Sequence, residues 1–377
     1  MQVNTKVKIA ANSRYAPIRY EATRPYAQRF GKLFAAEAAK GATRRVQFIK
    51  TELLPLIIGE LKRMGAPEGP GPGQGELSNV QIYSGYLEAG RVIFDVHNEL
   101  SKSLTVTDCR DIPCEALSFP MKSFYLYFGK GSGLVENGME IEGAFVHHLE
   151  DEQSLLIDLV PTGAFAVRAF WQLPMGEQLT GVSIRLDRPT ESITAALDRS
   201  VDETIERNNG IFKQLEDLER QLALQYGQPV TVPAPVMRLA DKRDLLHRAL
   251  QLVVNTLFFI NAVPDDVVTD WEEAAPADLL LQLKSDKFGT RKTAENNLAN
   301  QGYVKVKFIG RHYANSIEAK TLSEALSTGR VMPTHLRRGH FRSQPYGPER
   351  GLRRTVFIAP IVVNPGGGDA AGRIYQV

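Results

Sequence analysis

Apolar positions along this chain change period several times, and each change predicts a different kind of element. Between Tyr26 and Met64, residues Phe30, Phe34, Val46, Phe48, Ile49, Leu53, Leu54, Ile57, Ile58 and Leu61 recur near helical spacing, with Gly41 as a break. The stretch "IYSGYLEAGRVIFDVHNELSKSL" also reads as helical. The pattern then shortens to "SFYLYFG", "MEIEGAFVHHLE", "SLLIDLVP", "FAVRAFWQL" and "GVSIRLD". These β-branched and aromatic runs, separated by Gly, Pro and charge, predict an antiparallel sheet over about 119–187. No helical segments lie between them, so a doubly wound parallel sheet is not expected.

Helical spacing returns at 190–226, where the run is highly charged, and again at 241–263, the most apolar stretch. A strand "YVKVKFIG" (303–310), a helix near 317–327 and a strand "RTVFIAPIVV" (354–363) complete the pattern. The predicted class is α+β: a central antiparallel sheet, an N-terminal helical part and a helical C-terminal lobe carrying a small sheet.

Local composition sets the expected boundaries. Residues 1–64 hold a loosely ordered basic arm, with Lys6, Lys8, Arg14, Arg19 and Arg24 against Glu21, followed by the first helices. "GAPEGPGPGQGE" (65–76), with five Gly and three Pro, reads as a flexible linker. The sheet domain is expected at 77–189, the C-terminal lobe at 190–363 and a mobile tail at 364–377.

Net charge is only +2, so attraction to a polyanion must come from local clustering. Two cysteines, Cys109 and Cys114, are too few for a disulfide framework and fit a reducing cytoplasm. No apolar run reaches membrane-spanning length, so no membrane partner is expected. Nothing points to a cofactor or a resident metal. Cys109, Cys114, His335 and His340 would make four zinc ligands only if the fold united them. Asp265, Asp266, Asp270, Glu272 and Glu273 lie in an acidic loop open to a metal, a basic peptide or solvent alone.

The densest chemistry lies near the end. From Arg330 to Arg354 there are seven arginines, opposed only by Glu349. A guanidinium presents a planar fork to phosphate and stacks on rings, and Phe341 and Tyr346 lie among them. Arg337, Arg338, Arg342, Tyr346, Arg353 and Arg354 are therefore candidate RNA- or phosphate-binding residues. Gly339 and Gly347 are candidates for close backbone approach. The alternative is that these arginines pair with the acidic helix around 190–220. His335 and His340 raise a further option, a metal-independent ribonuclease or toxin-like enzyme. Five residues apart, they fall on opposite faces of a strand and roughly 140° apart on a helix. A plain RNA-binding accessory protein is the third option.

"PTHLRRGHFR" (333–342), followed by an arginine-flanked strand, resembles the C-terminal signature of an anti-CRISPR family directed against the type V-A effector nuclease and found on phages and plasmids. "DIPCEALSFPMKSFYLYF" and "LLHRALQLVVNTLFFINAVPDDV" resemble further segments of that family, in the same order. The motif positions shared are His335, Arg337, Arg338, Gly339, His340 and Arg342, with Phe341 where the family tends to have tryptophan. The resemblance implies recognition of a nascent peptide at the ribosome and loss of the encoding mRNA, with ribosome or RNA as the second partner. A hydrophobic groove would hold the peptide, and the aromatic positions near 124–127 and 257–260 are candidate walls or core.

Overall fold

The computed structural model describes residues 10–66, 70–136, 139–165, 180–232, 238–316, 335–337 and 339–363. The first helices are α1 (Ala16–Thr23), α2 (Ala27–Ala38), α3 (Ala42–Phe48) and, after a π-helical turn, α4 (Leu54–Arg63). They pack on α5 (Pro70–Glu88) through Tyr26, Phe30, Phe48, Leu53, Ile57, Leu61, Leu77 and Val80. The flexible linker expected over 65–76 is thereby corrected: residues 70–76 are the opening turns of α5, and Glu76 and Leu77 are buried. Proline is tolerated in a first helical turn, where its missing N–H costs nothing.

The central sheet runs β6–β5–β4–β2–β1–β8–β7, with the short β3 (Val135–Glu136) pairing β4. Its strands are β1 (Ile93–Val96), β2 (Ser123–Tyr127), β4 (Met139–Leu149), β5 (Ser154–Pro161), β6 (Thr180–Arg185), β7 (Val267–Trp271) and β8 (Lys305–Ile309). The α+β class holds, but the sheet is mixed rather than antiparallel, because β1 pairs parallel to both β2 and β8. Residues 82–104 accordingly form helix, strand and helix: the end of α5, then β1, then α6 (Asn98–Thr105). The sheet also crosses the boundary expected near 190, since β7 and β8 come from the C-terminal half.

Helices cover both faces. On one, Tyr15, Ala16, Tyr20, Tyr83 and Tyr86 pack against Ile93, Tyr125, Phe145, Val306 and Phe308. On the other, α6, the N-terminal part of α7 (Ile193–Tyr226) and α8 (Arg243–Ala262) bury the main core. Among the described residues α8 is the one helix long and apolar enough to span a membrane, and most of it is buried in this core. Beyond β7 come α9 (Ala277–Gln282) and α10 (Phe288–Gln301).

The run read as one strand over 354–363 is split. β10 (His340–Tyr346) pairs with β11 (Leu352–Ile358), while β9 (His335–Arg337) pairs with β12 (Ile361–Val363). Pro360 lies between β11 and β12, where it has no N–H to give to a ladder. The expected strand over 165–173, helix near 317–327 and tail at 364–377 lie wholly or almost wholly outside the described residues.

Residues 10–25 are not a solvated basic arm. Arg14 bonds Asp95 at 2.5 Å, Arg19 pairs with Glu142, and Arg24 lies 3.7 Å from Glu76. Arg19 and Arg24 are buried, because their carboxylate partners sit on the sheet and on α5.

Candidate functional site

The hairpin β10–β11 carries most of the sequence-predicted site. Its register runs from His340↔Ile358 to Tyr346↔Leu352, closed by a turn in which Gly347 has φ +75°. Period-two alternation places Phe341 and its partner Phe357 on one face, against α8. Their ring centroids are 5.1 Å apart, and Phe341 lies 5.4 Å from Phe258. A second anchor is backbone: Asp108 N–H donates to Gly339 O and Phe341 N–H donates to Asp108 O, both at 3.0 Å. Asn255 of α8 donates to the Leu104 and Thr107 carbonyls, fixing that loop. Gly339 is small for the same reason. A Cβ there would meet Pro360 Cδ at 2.8 Å and Thr107 Oγ1 at 3.0 Å, so the close approach is to this chain itself.

The opposite face of the hairpin carries Arg342, Gln344, Tyr346 and Arg354, with the Arg354 guanidinium 5.6 Å from the Tyr346 ring centroid. Arg342, Tyr346, Arg350, Arg353 and Arg354 are exposed. Among the described residues, none of these four arginines makes an ion pair. The acidic helix is engaged elsewhere: Glu203 pairs with Arg185, Asp198 and Asp202 with Arg243, and Glu216 with Arg238. Arg353 alternates to the Phe341 side, so Arg353 and Arg354 do not share a face. Arg337 and His335 belong to the separate pair β9–β12, opposite Ile361 and Val363. Their side chains, and all of Arg338, lie outside the described residues, so the ribonuclease and zinc options that need His335 beside His340 fall there too.

Other sequence candidates resolve into structure. Phe124–Leu126 and Leu257–Ile260 are buried core rather than groove walls. Cys109 and Cys114 are buried free thiols whose pKa values burial raises to about 12 and about 11. Among the described residues no group of three or more His, Cys, Asp or Glu is placed to hold a metal. In the acidic loop, Asp266 accepts from the His312 and Tyr313 amides, and Glu272 accepts from Val304 N–H at 3.0 Å.

Two features of the fold carry no mark in the sequence. The first is a buried line across adjacent strands: Ser123 Oγ lies 2.7 Å from His147 Nδ1, and His147 Nε2 lies 3.9 Å from Asp158 Oδ2. The residue types are those of a serine hydrolase, but all three are buried and Gly85 of α5 abuts the imidazole. No substrate reaches Ser123, so the cluster is a polar seam between sheet and helix. Burial lowers the His147 pKa to about 4 and raises that of Asp158 to about 7. Nothing local marks these residues, since they lie on three strands.

The second is a cleft of about 490 Å³ at the end of the sheet where β1 and β8 begin. Tyr86, Ile93, Trp271 and Tyr303 form apolar walls, and Glu21, Arg91 and Lys305 also line it. Arg91 pairs with Glu21, and Lys305 pairs with Glu295 and lies 5.3 Å from the Trp271 ring.

Among curated proteins, none matches the chain. Among solved structures, the crystal structure of AcrVA2 aligns with 92% of this chain and 97% of its own at TM-score 0.46 and 13% identity. The AcrVA2-like model, the anti-CRISPR type V subtype A2 family, matches residues 94–365, from β1 past the C-terminal hairpin. The match covers well over half of the sequence and ends beyond the motif that resembles this family, so the chain belongs to the AcrVA2-like anti-CRISPR family.

Proposed function

We propose that this anti-CRISPR family member recognises a nascent polypeptide, that of a type V-A effector nuclease, at the ribosome and lowers expression of its mRNA. The observation that supports this most is the outer face of the C-terminal hairpin. Arg342 and Arg354 are exposed on it, Arg354 beside Tyr346, and neither has a carboxylate partner among the described residues. A guanidinium held out by a packed hairpin, next to an exposed ring, suits single-stranded RNA, whose phosphates are gripped while bases stack. A peptide site elsewhere on the molecule adds a second contact to the same translating complex. The second binding event is then intramolecular, so two weak contacts suffice.

The experiment pairs ribosome co-sedimentation with mRNA quantification in cells expressing the effector nuclease. Arg342→Glu/Arg354→Glu is expected to abolish ribosome association and restore the mRNA while leaving the circular dichroism spectrum unchanged. With purified protein and labelled RNA, the double variant should lower the salt slope by roughly 1.4, two single-strand phosphate contacts' worth. Unchanged association and unchanged mRNA loss would refute the role of the hairpin. Chelator-resistant RNA cleavage lost in His340→Ala would replace this reading with the ribonuclease one.

A further inference from the structure

We infer that the free edge of β7, together with the cleft at its end, binds an extended peptide carrying one apolar and one basic side chain. This rests on the peptide-recognition reading above and assigns that role a place. Among the described residues β7 ends the central sheet and pairs only with β8. The phase of its outward groups follows from one hydrogen bond: Glu272 N–H donates to Val304 O at 3.0 Å, toward β8. Alternate residues face the same way in an antiparallel ladder, so Asp270 and Val268 also address β8. Thr269 therefore turns its N–H and C=O away from the sheet. Trp271 also faces outward, and its N–H is taken by the Asp270 carboxylate at 2.8 Å. Val268, Thr269 and Asp270 are all exposed.

An uncovered strand edge accepts one class of partner well, an extended backbone added as a further strand. Side chains then provide selectivity. β7 leads at Trp271 directly into the cleft, whose volume of about 490 Å³ suits an apolar side chain and its neighbour. Asp265 and Asp270 are exposed, and neither makes an ion pair among the described residues. Lys307, across from Thr269, is half-buried over the Phe94 ring. The unpaired charge along this edge is therefore acidic, which favours a lysine or arginine in the added strand.

Short synthetic peptides tiling the N-terminal segment of a type V-A effector nuclease serve as the probe, with binding read by fluorescence anisotropy. Thr269→Pro removes the outward N–H without touching a β8 hydrogen bond, a substitution tolerated on sheet edges. It should weaken binding about tenfold, whereas Thr269→Val should not. Tyr303→Ala should weaken it separately, and Arg342→Glu should leave it unchanged. In the wild-type protein, the bound peptide should slow amide exchange at Thr269. If peptides bind but Thr269→Pro, Tyr303→Ala and Thr269 exchange are all indifferent, the site is wrong while peptide recognition stands. If no peptide binds the wild-type protein, both readings fail.

Discussion

Replacing Arg19 by Met removes the cation that neutralises Glu142 inside the molecule. Arg19 donates five hydrogen bonds to four acceptors: the Ala164 carbonyl from Nε and Nη2, the Ser13 and Arg14 carbonyls from Nη1, and Glu142 Oε1 from Nη2. Both side chains are at least nine-tenths buried. Breaking such a pair costs about 3–5 kcal/mol, because the remaining charge stays buried. Protonation sets a ceiling on that electrostatic cost. Burial already holds the Glu142 carboxyl above its usual 4.5, with Arg19 opposing, and without Arg19 it rises further. Binding a proton at pH 7 to a group that titrates near 4.5 when unfolded costs about 3 kcal/mol, and at pH 5.5 about 1.4 kcal/mol. A folded-state pKa raised above the unfolded value makes stability fall as pH rises. Arg19→Met should therefore lose about 2 kcal/mol more at pH 7 than at pH 5.5. Arg19→Met/Glu142→Gln should recover about 2 kcal/mol at pH 7 and lose that slope. Urea unfolding followed by circular dichroism at both pH values measures each quantity. A loss below about 1 kcal/mol at pH 7, or a double variant no more stable than the single one, would refute the account.

Phe341→Ala leaves a gap between the hairpin and α8 and should cost about 3 kcal/mol, with amide exchange in 340–346 rising before the rest of the sheet. Gly143→Ala drives a methyl into Leu126 O and the Tyr125 hydroxyl, which should cost about 2–3 kcal/mol by thermal unfolding. The buried seam should titrate in opposing senses. Asp158→Asn leaves His147, whose lowered pKa makes stability rise from about pH 4 to 6.5. His147→Gln leaves Asp158, whose raised pKa makes stability fall from about pH 4 to 7, so unfolding midpoints of the two variants should move oppositely with pH.

Periodicity made the α+β class and most long elements legible. The charged helix around 193–226, the apolar helix at 243–262 and strands β2, β4, β5, β6 and β8 all fall where spacing placed them. β1 did not announce itself, because all four residues are buried and a strand covered on both faces shows no alternation. Its absence from the sequence reading is why the sheet seemed wholly antiparallel. The basic arm and the linker failed for another reason. Local charge and Gly/Pro content are visible, but partners such as Asp95, Glu142 and Tyr20 lie dozens of residues away. In the hairpin, arginine density was legible, whereas the division of Arg353 from Arg354 depended on register.

The order in which the sheet assembles has a consequence for synthesis. β1, near the middle of the sheet, gains its second neighbour only when β8 emerges, more than two hundred residues later. Until then its apolar flank is an open edge able to mispair with other chains. Chains truncated between β7 and β8 should therefore accumulate in the insoluble fraction, and the finished fold can close only after most of the polypeptide has left the translation machinery.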